Sequence, residues 1–186
     1  MLETELKCML TEEEYDRLKT MFRWDWVKEQ VNSYYSDPSL LLKKHGITLR
    51  VRTKDGISKI QVKAHKNAGS PLQICEESEY GINCVPDSFT ADEVEKMTGL
   101  RTEASLLGSL TTLRHSLMYC GGVELCLDKN DYLDRTDYEL ELEYTKDIPD
   151  TLKNALADAG IGFSAPAVGK CTRFMQRLGE LIRGAE

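Results

Sequence analysis

Residues 138–144 read YELELEY, so Glu139, Glu141 and Glu143 alternate with Tyr138, Leu140, Leu142 and Tyr144. A strand sends alternate side chains to opposite faces, which puts the three glutamates side by side on one face. Like charges that close repel, and on an exposed sheet face this row is costly. The same two-residue period recurs along the chain with other charges. ETELK at 3–7 sets Glu3, Glu5 and Lys7 against Thr4 and Leu6. ITLRVRT at 47–53 sets Thr48, Arg50 and Arg52 against Ile47, Leu49 and Val51, and KIQVK at 59–63 sets Lys59, Gln61 and Lys63 against Ile60 and Val62. Residues 72–80 put Glu77 and Glu79 on one parity, 110–118 carry Arg114, and 123–128 set Glu124 and Asp128 against Val123, Leu125 and Leu127. Residues 30–35 are a poorer strand candidate.

An ordinary half-exposed sheet also alternates polar and apolar residues. Here the polar faces are almost wholly charged, and the cost of each face falls if all of them line one interior. A closed barrel turns alternate residues of every strand inward. Its lumen would hold Glu3, Glu5, Lys7, Arg50, Arg52, Lys63, Glu77, Glu79, Arg114, Glu124, Asp128, Glu139, Glu141 and Glu143. Buried charges must be paired or bind metal. Arg and Lys suit phosphate oxygens, and clustered carboxylates suit Mg²⁺ or Mn²⁺. A polyphosphate travelling with a divalent cation fits both halves of this inventory.

About eight strands and four helices are expected, an α+β chain with an antiparallel sheet closed or nearly closed on itself. Thr11 to Glu14 and Thr90 to Glu93 are capping boxes, opening helices that run to about residue 22 and to Gly99. Asp150–Ala159 forms a third helix stopped by Gly160, and 170–183 a fourth. Turn signals stand at Asp55-Gly56, Asn67–Pro71, Gly121-Gly122 and 160–169. No linker divides the chain, so 1–186 is expected to be one domain.

Net charge is −7, which argues against a general nucleic-acid or anionic-membrane binder and asks any anionic ligand to find a local basic pocket. No apolar run approaches a membrane span, and the N-terminus lacks signal-peptide character. The six cysteines, with no C-x-x-C pair, are then expected as free thiols in the cytoplasm. The three histidines lack ligand spacing and suit surface or packing positions. Trp24 and Trp26, with Phe22, are expected to pack at the end of the first helix, and Lys43-Lys44 to be a solvated turn. Gly169 to Thr172 has neither the spacing nor the preceding strand of a phosphate-binding loop.

These residues in this order resemble the CYTH family, the triphosphate tunnel metalloenzymes, over nearly the whole chain. ETELK is similar to the family's E-x-E-x-K opening. NSYYSDP and GITLRVR resemble N-x-Y-F-D-T-P and G-x-x-L-R-x-R. SKIQVK, VELCLDKNDYL and DYELELEY resemble its lysine and late acidic strands, and GKCTRF its C-terminal K-x-x-R. The arrangement most resembles the stand-alone bacterial inorganic triphosphatases. One departure is Ser36, where the family often has Asp, with Asp37 a step later.

The resemblance implies a tunnel of eight antiparallel strands with flanking helices. It implies that Glu3, Glu5, Glu139 and Glu141 hold Mg²⁺ or Mn²⁺. It implies that Lys7, Arg50, Arg52, Lys63, Arg114, Lys170 and Arg173 contact the triphosphate, with Glu3, Glu5 and Lys7 as the catalytic set. Glu77, Glu79, Glu124, Asp128 and Glu143 are further lumen residues. The expected function is metal-dependent hydrolysis of inorganic triphosphate, or of a nucleoside triphosphate, at the terminal phosphate. An adenylyl cyclase of the class IV type and a non-catalytic polyphosphate- or nucleotide-binding module are the alternatives. The expected partner is a small-molecule triphosphate, with no nucleic acid and no membrane; the oligomeric state is open, a homodimer included.

Overall fold

The computed structural model describes residues 2–66, 72–120, 122–145, 147–163 and 166–184, without the side chains of Leu2, Glu3 and Gln73. The turn signal at 67–71 lies outside the described residues. The elements in chain order are β1 (Leu2–Leu10), α1 (Glu12–Met21), β2 (Trp26–Ser36), α2 (Leu41–Lys44), β3 (Ile47–Lys54), β4 (Ile57–His65), β5 (Leu72–Ile82), β6 (Ser88–Phe89), α3 (Ala91–Thr98), β7 (Ala104–Tyr119), β8 (Val123–Tyr132), β9 (Arg135–Tyr144), α4 (Asp150–Asp158) and α5 (Lys170–Gly184).

Strands pair in the order β2-β3-β4-β5-β1-β9-β8-β7, and β7 pairs back onto β2, so eight antiparallel strands close a barrel. The two-residue β6 adds to β7. Every strand read from alternation is present. β2 and β7 are longer than their sequence signals, at 11 and 16 residues.

Stability comes largely from the outer face of the barrel. Cys8, Leu125, Leu127, Leu140 and Leu142 pack under Tyr15 and Leu18 of α1 and Leu152 and Leu156 of α4. Tyr35, Leu49, Val51, Ile60 and Val62 pack with Leu42 of α2 and Val94 of α3. Each fully buried leucine is worth roughly 1.5–3 kcal/mol, so the apolar parity of the strands stabilises the fold while the charged parity is left to the interior. Thr11 and Thr90 form the expected capping boxes.

The one-turn α2 replaces the solvated turn expected at Lys43-Lys44, although both lysines stay exposed. Asp37 explains it: its carboxylate accepts from the Leu41 and Leu42 amides at 2.8 and 3.0 Å and from Ser39 Oγ at 2.5 Å. Burial pushes Asp37 up, yet these hydrogen bonds outweigh it and hold the carboxyl below its ordinary value. The Ser36-Asp37 departure therefore caps a turn of helix.

One end of the interior is apolar. Tyr34, Leu110 and Tyr132, on the inward parity of β2, β7 and β8, meet Phe174 of α5. Gly108 sits where the β2–β7 register shifts, at φ +142°, and a Cβ there would lie 3.0 Å from Phe174 Cζ. A Gly108→Ala protein should lose about 1–3 kcal/mol through backbone strain and overpacking. Urea denaturation checks this, and an unchanged midpoint would refute the contact.

Candidate functional site

The barrel order alone polarises the lumen. Counting around the ring, β3 lies opposite β9. Arg50 and Arg52 of β3 therefore face the wall that carries Glu139, Glu141 and Glu143. A cavity of about 990 Å³ runs between them, lined among others by Glu5, Lys7, Arg50, Arg52, Lys63, Glu77, Glu79, Arg114, Glu124, Glu141, Glu143 and Lys170. Asp128 and Glu139 lie buried at its acidic side, against Lys170.

The acidic wall is densely paired. Lys7 Nζ lies 3.2 Å from Glu5 and 2.9 Å from Glu141. Burial pushes Lys7 down, but Glu141 and Glu5 more than offset it and hold its pKa above the ordinary lysine value. Arg114 donates to both oxygens of Asp128, at 2.8 and 2.6 Å, and also contacts Glu141. Lys170, at the start of α5, reaches into the barrel to Asp128 at 2.8 Å, Glu141 at 2.9 Å and Glu139. Burial raises Glu141, yet Lys7 and Arg114 outweigh it and keep its carboxyl well below the usual range.

These carboxylates form two groups able to bring oxygens within 4.8 Å of one another: Glu5, Glu141 and Glu143, and Asp128, Glu139 and Glu141. The ammonium of Lys170 already lies among the second. The first faces the cavity and suits a divalent cation, since hard carboxylate oxygens with room for water are what Mg²⁺ and Mn²⁺ take. Of the metal-ligand set implied by the sequence resemblance, Glu5 and Glu141 come together and gain Glu143. Glu139 goes instead to Lys170 and Arg173. The side chain of Glu3 lies outside the described part; its backbone pairs with Cys75 on β5.

The opposite wall is different. Arg50 Nε donates to Gln61 at 2.9 Å and Arg52 Nε to Asn32 at 3.0 Å. Four buried side-chain atoms lack a hydrogen-bond partner among the described residues: Gln30 Nε2, Asn32 Nδ2, Tyr34 Oη and Arg50 Nη2. All four can donate, and all stand on the inward parity of the adjacent strands β2 and β3. Burial, with Arg50 and Arg114 nearby, pulls Arg52 down to about 10. Uncompensated donors and crowded cations on one wall ask for an acceptor-only, anionic ligand.

Other expected lumen residues fall into local pairs. Lys63 meets Glu77 at 3.1 Å, Glu79 takes Lys59 at 2.8 Å, and Ser116 donates to Glu124. Arg173 lies off the cavity wall and holds Asp137 and Glu139, both bonds to Asp137 within 3.0 Å. His65 is exposed and also lines the lumen, with Nδ1 3.2 Å from Cys75 Sγ. One side chain departs from its expected packing: Trp26 lines the lumen, while Phe22 and Trp24 do pack together with a ring separation of 5.8 Å. Trp26 shares its parity with Gln30, and that parity was the signal for its inward position. Cys8, Cys84, Cys120, Cys126 and Cys171 are free thiols, and among the described residues no helix is long and apolar enough to cross a membrane.

Asp128 predicts an acid limb. Burial raises it, but Arg114 and Lys170 outweigh burial and hold its pKa below the ordinary value. The folded state thus binds this proton less readily than the unfolded state. The contribution to stability is full above about pH 4, and it is lost as pH falls through the folded value. Urea midpoints between pH 6 and pH 2.5 should fall more steeply below pH 4 in the unaltered protein than in Asp128→Asn. Parallel curves would refute the assignment.

The CYTH domain model matches residues 1–161. The Bacillus subtilis (strain 168) protein named "Putative triphosphatase YjbK" is 29% identical over 148 residues, covering 76% of this chain and 77% of its own length. The crystal structure of a "putative adenylate cyclase (bh2851)" from Bacillus halodurans superposes with a TM-score of 0.71 at 25% identity, over 92% of this chain and 96% of that one. "Putative adenylyl cyclase HpAC1" from Hippeastrum, described as having a dominant triphosphatase activity, superposes with a TM-score of 0.74 at 20% identity, over 94% and 95%.

Proposed function

The chain belongs to the CYTH domain family, and we propose that it is a metal-dependent triphosphatase that hydrolyses the terminal phosphate of a triphosphate inside the barrel. The observation that carries this reading is the pair of buried donors on the cavity wall, Gln30 Nε2 and Arg50 Nη2, which lack a hydrogen-bond acceptor among the described residues and stand beside Arg52 across from a carboxylate wall. A triphosphate chain offers only acceptor oxygens to such donors, and its charge balances Arg50 and Arg52. We take 1–186 as one unit, because α5, beyond the matched residues, sends Lys170 into the same lumen.

Each residue set has its task. Arg50, Arg52, Lys63 and Gln30 bind and align the phosphates. Lys7 and Arg114, on the boundary between the walls, neutralise charge that develops on the bridging and terminal oxygens. Glu5, Glu141 and Glu143 would hold Mg²⁺ or Mn²⁺, which when bound supplies Lewis-acid polarisation of the phosphoryl group and a more acidic water. Lys170 and Arg173 hold Asp128, Glu139 and Glu141 in place. Water attacks the terminal phosphorus in line, the bond to the bridging oxygen breaks, and orthophosphate and diphosphate leave. No Ser, Cys or His nucleophile is required.

The curated relative's name and the triphosphatase activity described for the Hippeastrum protein support hydrolysis over cyclisation. The test is phosphate release from inorganic triphosphate with Mg²⁺ or Mn²⁺, then with EDTA, with ATP in parallel and cyclic AMP assayed. Metal-dependent orthophosphate without cyclic AMP is expected. Cyclic AMP as the main product from ATP would favour the cyclase, and tight binding without turnover a binding module.

A further inference from the structure

The lumen narrows in chemistry from charge to an aromatic ring. On β2 the inward row runs Gln30, Lys28, Trp26 toward the barrel end opposite Phe174. Lys28 is the register partner of Arg114, so Trp26 stands two residues, about 7 Å of strand, further out than Arg114. Lys54 Nζ lies 4.0 Å from the centroid of the Trp26 ring. The ring is therefore covered by the tip of a flexible lysine, and a ligand can displace it without repacking a core. Burial and the neighbouring Lys28 both push Lys54 down. Ile57, 66% exposed, lines the same outer part of the cavity.

A bare triphosphate has no use for a π-face or a sec-butyl side chain, and about 990 Å³ is at the upper end for sites that take a drug-sized ligand. Lys54 alone accounts for Trp26 as a cation–π pair, but such a pair leaves the apolar Ile57 and the surplus volume without a purpose. We propose that Trp26 is a stacking platform for the heterocyclic base of a nucleoside triphosphate, whose phosphates lie inward at Arg114, Arg50 and Arg52. The inference rests on the triphosphatase reading and names the substrate class for that site.

The test uses the two tryptophans. In a Trp24→Phe background, β,γ-methylene-ATP with Mg²⁺ should quench the fluorescence of Trp26, whereas inorganic triphosphate should not. By calorimetry, Trp26→Ala should weaken β,γ-methylene-ATP about tenfold more than it weakens inorganic triphosphate, as loss of one stacked base does. Trp26→Phe should restore most of that difference, which a purely structural role for Trp26 would not do. Equal losses for both ligands, or none, with thermal stability retained, would overturn the platform and leave the triphosphatase reading intact. An unaltered protein that binds neither ligand would overturn both.

Discussion

Glu5→Gln should lower metal-dependent phosphate release by roughly 10²–10³-fold, the range for removing one preorganised electrostatic group from a reacting centre, with the fold intact. Glu5 is buried, and its recorded ion pair is with Lys7 at 3.2 Å. A glutamine keeps the size, and its amide oxygen still accepts from Lys7. What is lost is one of three negative ligands in the cavity-facing group with Glu141 and Glu143. Glu141→Gln is a poorer probe, because Glu141 also holds Lys7, Arg114 and Lys170. Phosphate release at saturating Mn²⁺, Mn²⁺ affinity by calorimetry and a thermal melt decide the matter together. Weak Mn²⁺ binding with a normal melt is expected. Near-normal turnover in Glu5→Gln would remove the metal assignment and shift attention to Asp128 and Glu139.

Much of the charged lumen is legible in the sequence. Charged alternation in β1, β3, β4 and β9 can be read because their apolar parity is buried under helices on the outside, as Leu49, Val51, Leu140 and Leu142 are. β2 is the counterexample. Its inward row, Trp26, Lys28, Gln30, Asn32 and Tyr34, mixes aromatic, basic and amide residues. Its outward row is not uniformly apolar, and Val27 on it is half exposed. No simple period marks such a strand, yet it supplies three of the four unpartnered donors and the ring at the mouth. The partition of the carboxylates was also invisible. Which acids face the cavity and which enclose Lys170 depends on α5 entering from the far end of the chain, and only the register Lys7↔Glu141 and Asp128↔Glu139 fixes their neighbours.

That partition leads to a second large effect. Lys170→Met should destabilise the protein in EDTA by about 3 kcal/mol, the lower end of the cost of removing one partner from a buried ion pair, because each acid keeps another cation. Asp128, Glu139 and Glu141 would then crowd one another in a site from which Lys170 and all three acids exclude water almost completely. Burial already pushes the Lys170 ammonium toward losing its proton, and the Asp128 carboxylate opposes that fall. Arg114 remains on Asp128 and Glu141, and Arg173 on Glu139. A divalent cation binding only the folded state adds about 2.7 kcal/mol at a hundred times its Kd. Mn²⁺ should therefore raise the urea midpoint of Lys170→Met more than that of the unaltered protein, because the vacated group offers two further carboxylates, Asp128 and Glu139, beside the shared Glu141. If the variant unfolds at the unaltered midpoint in EDTA and gains nothing extra from Mn²⁺, Arg114 and Arg173 suffice to hold the acids. Lys170 then enters the barrel for the substrate alone.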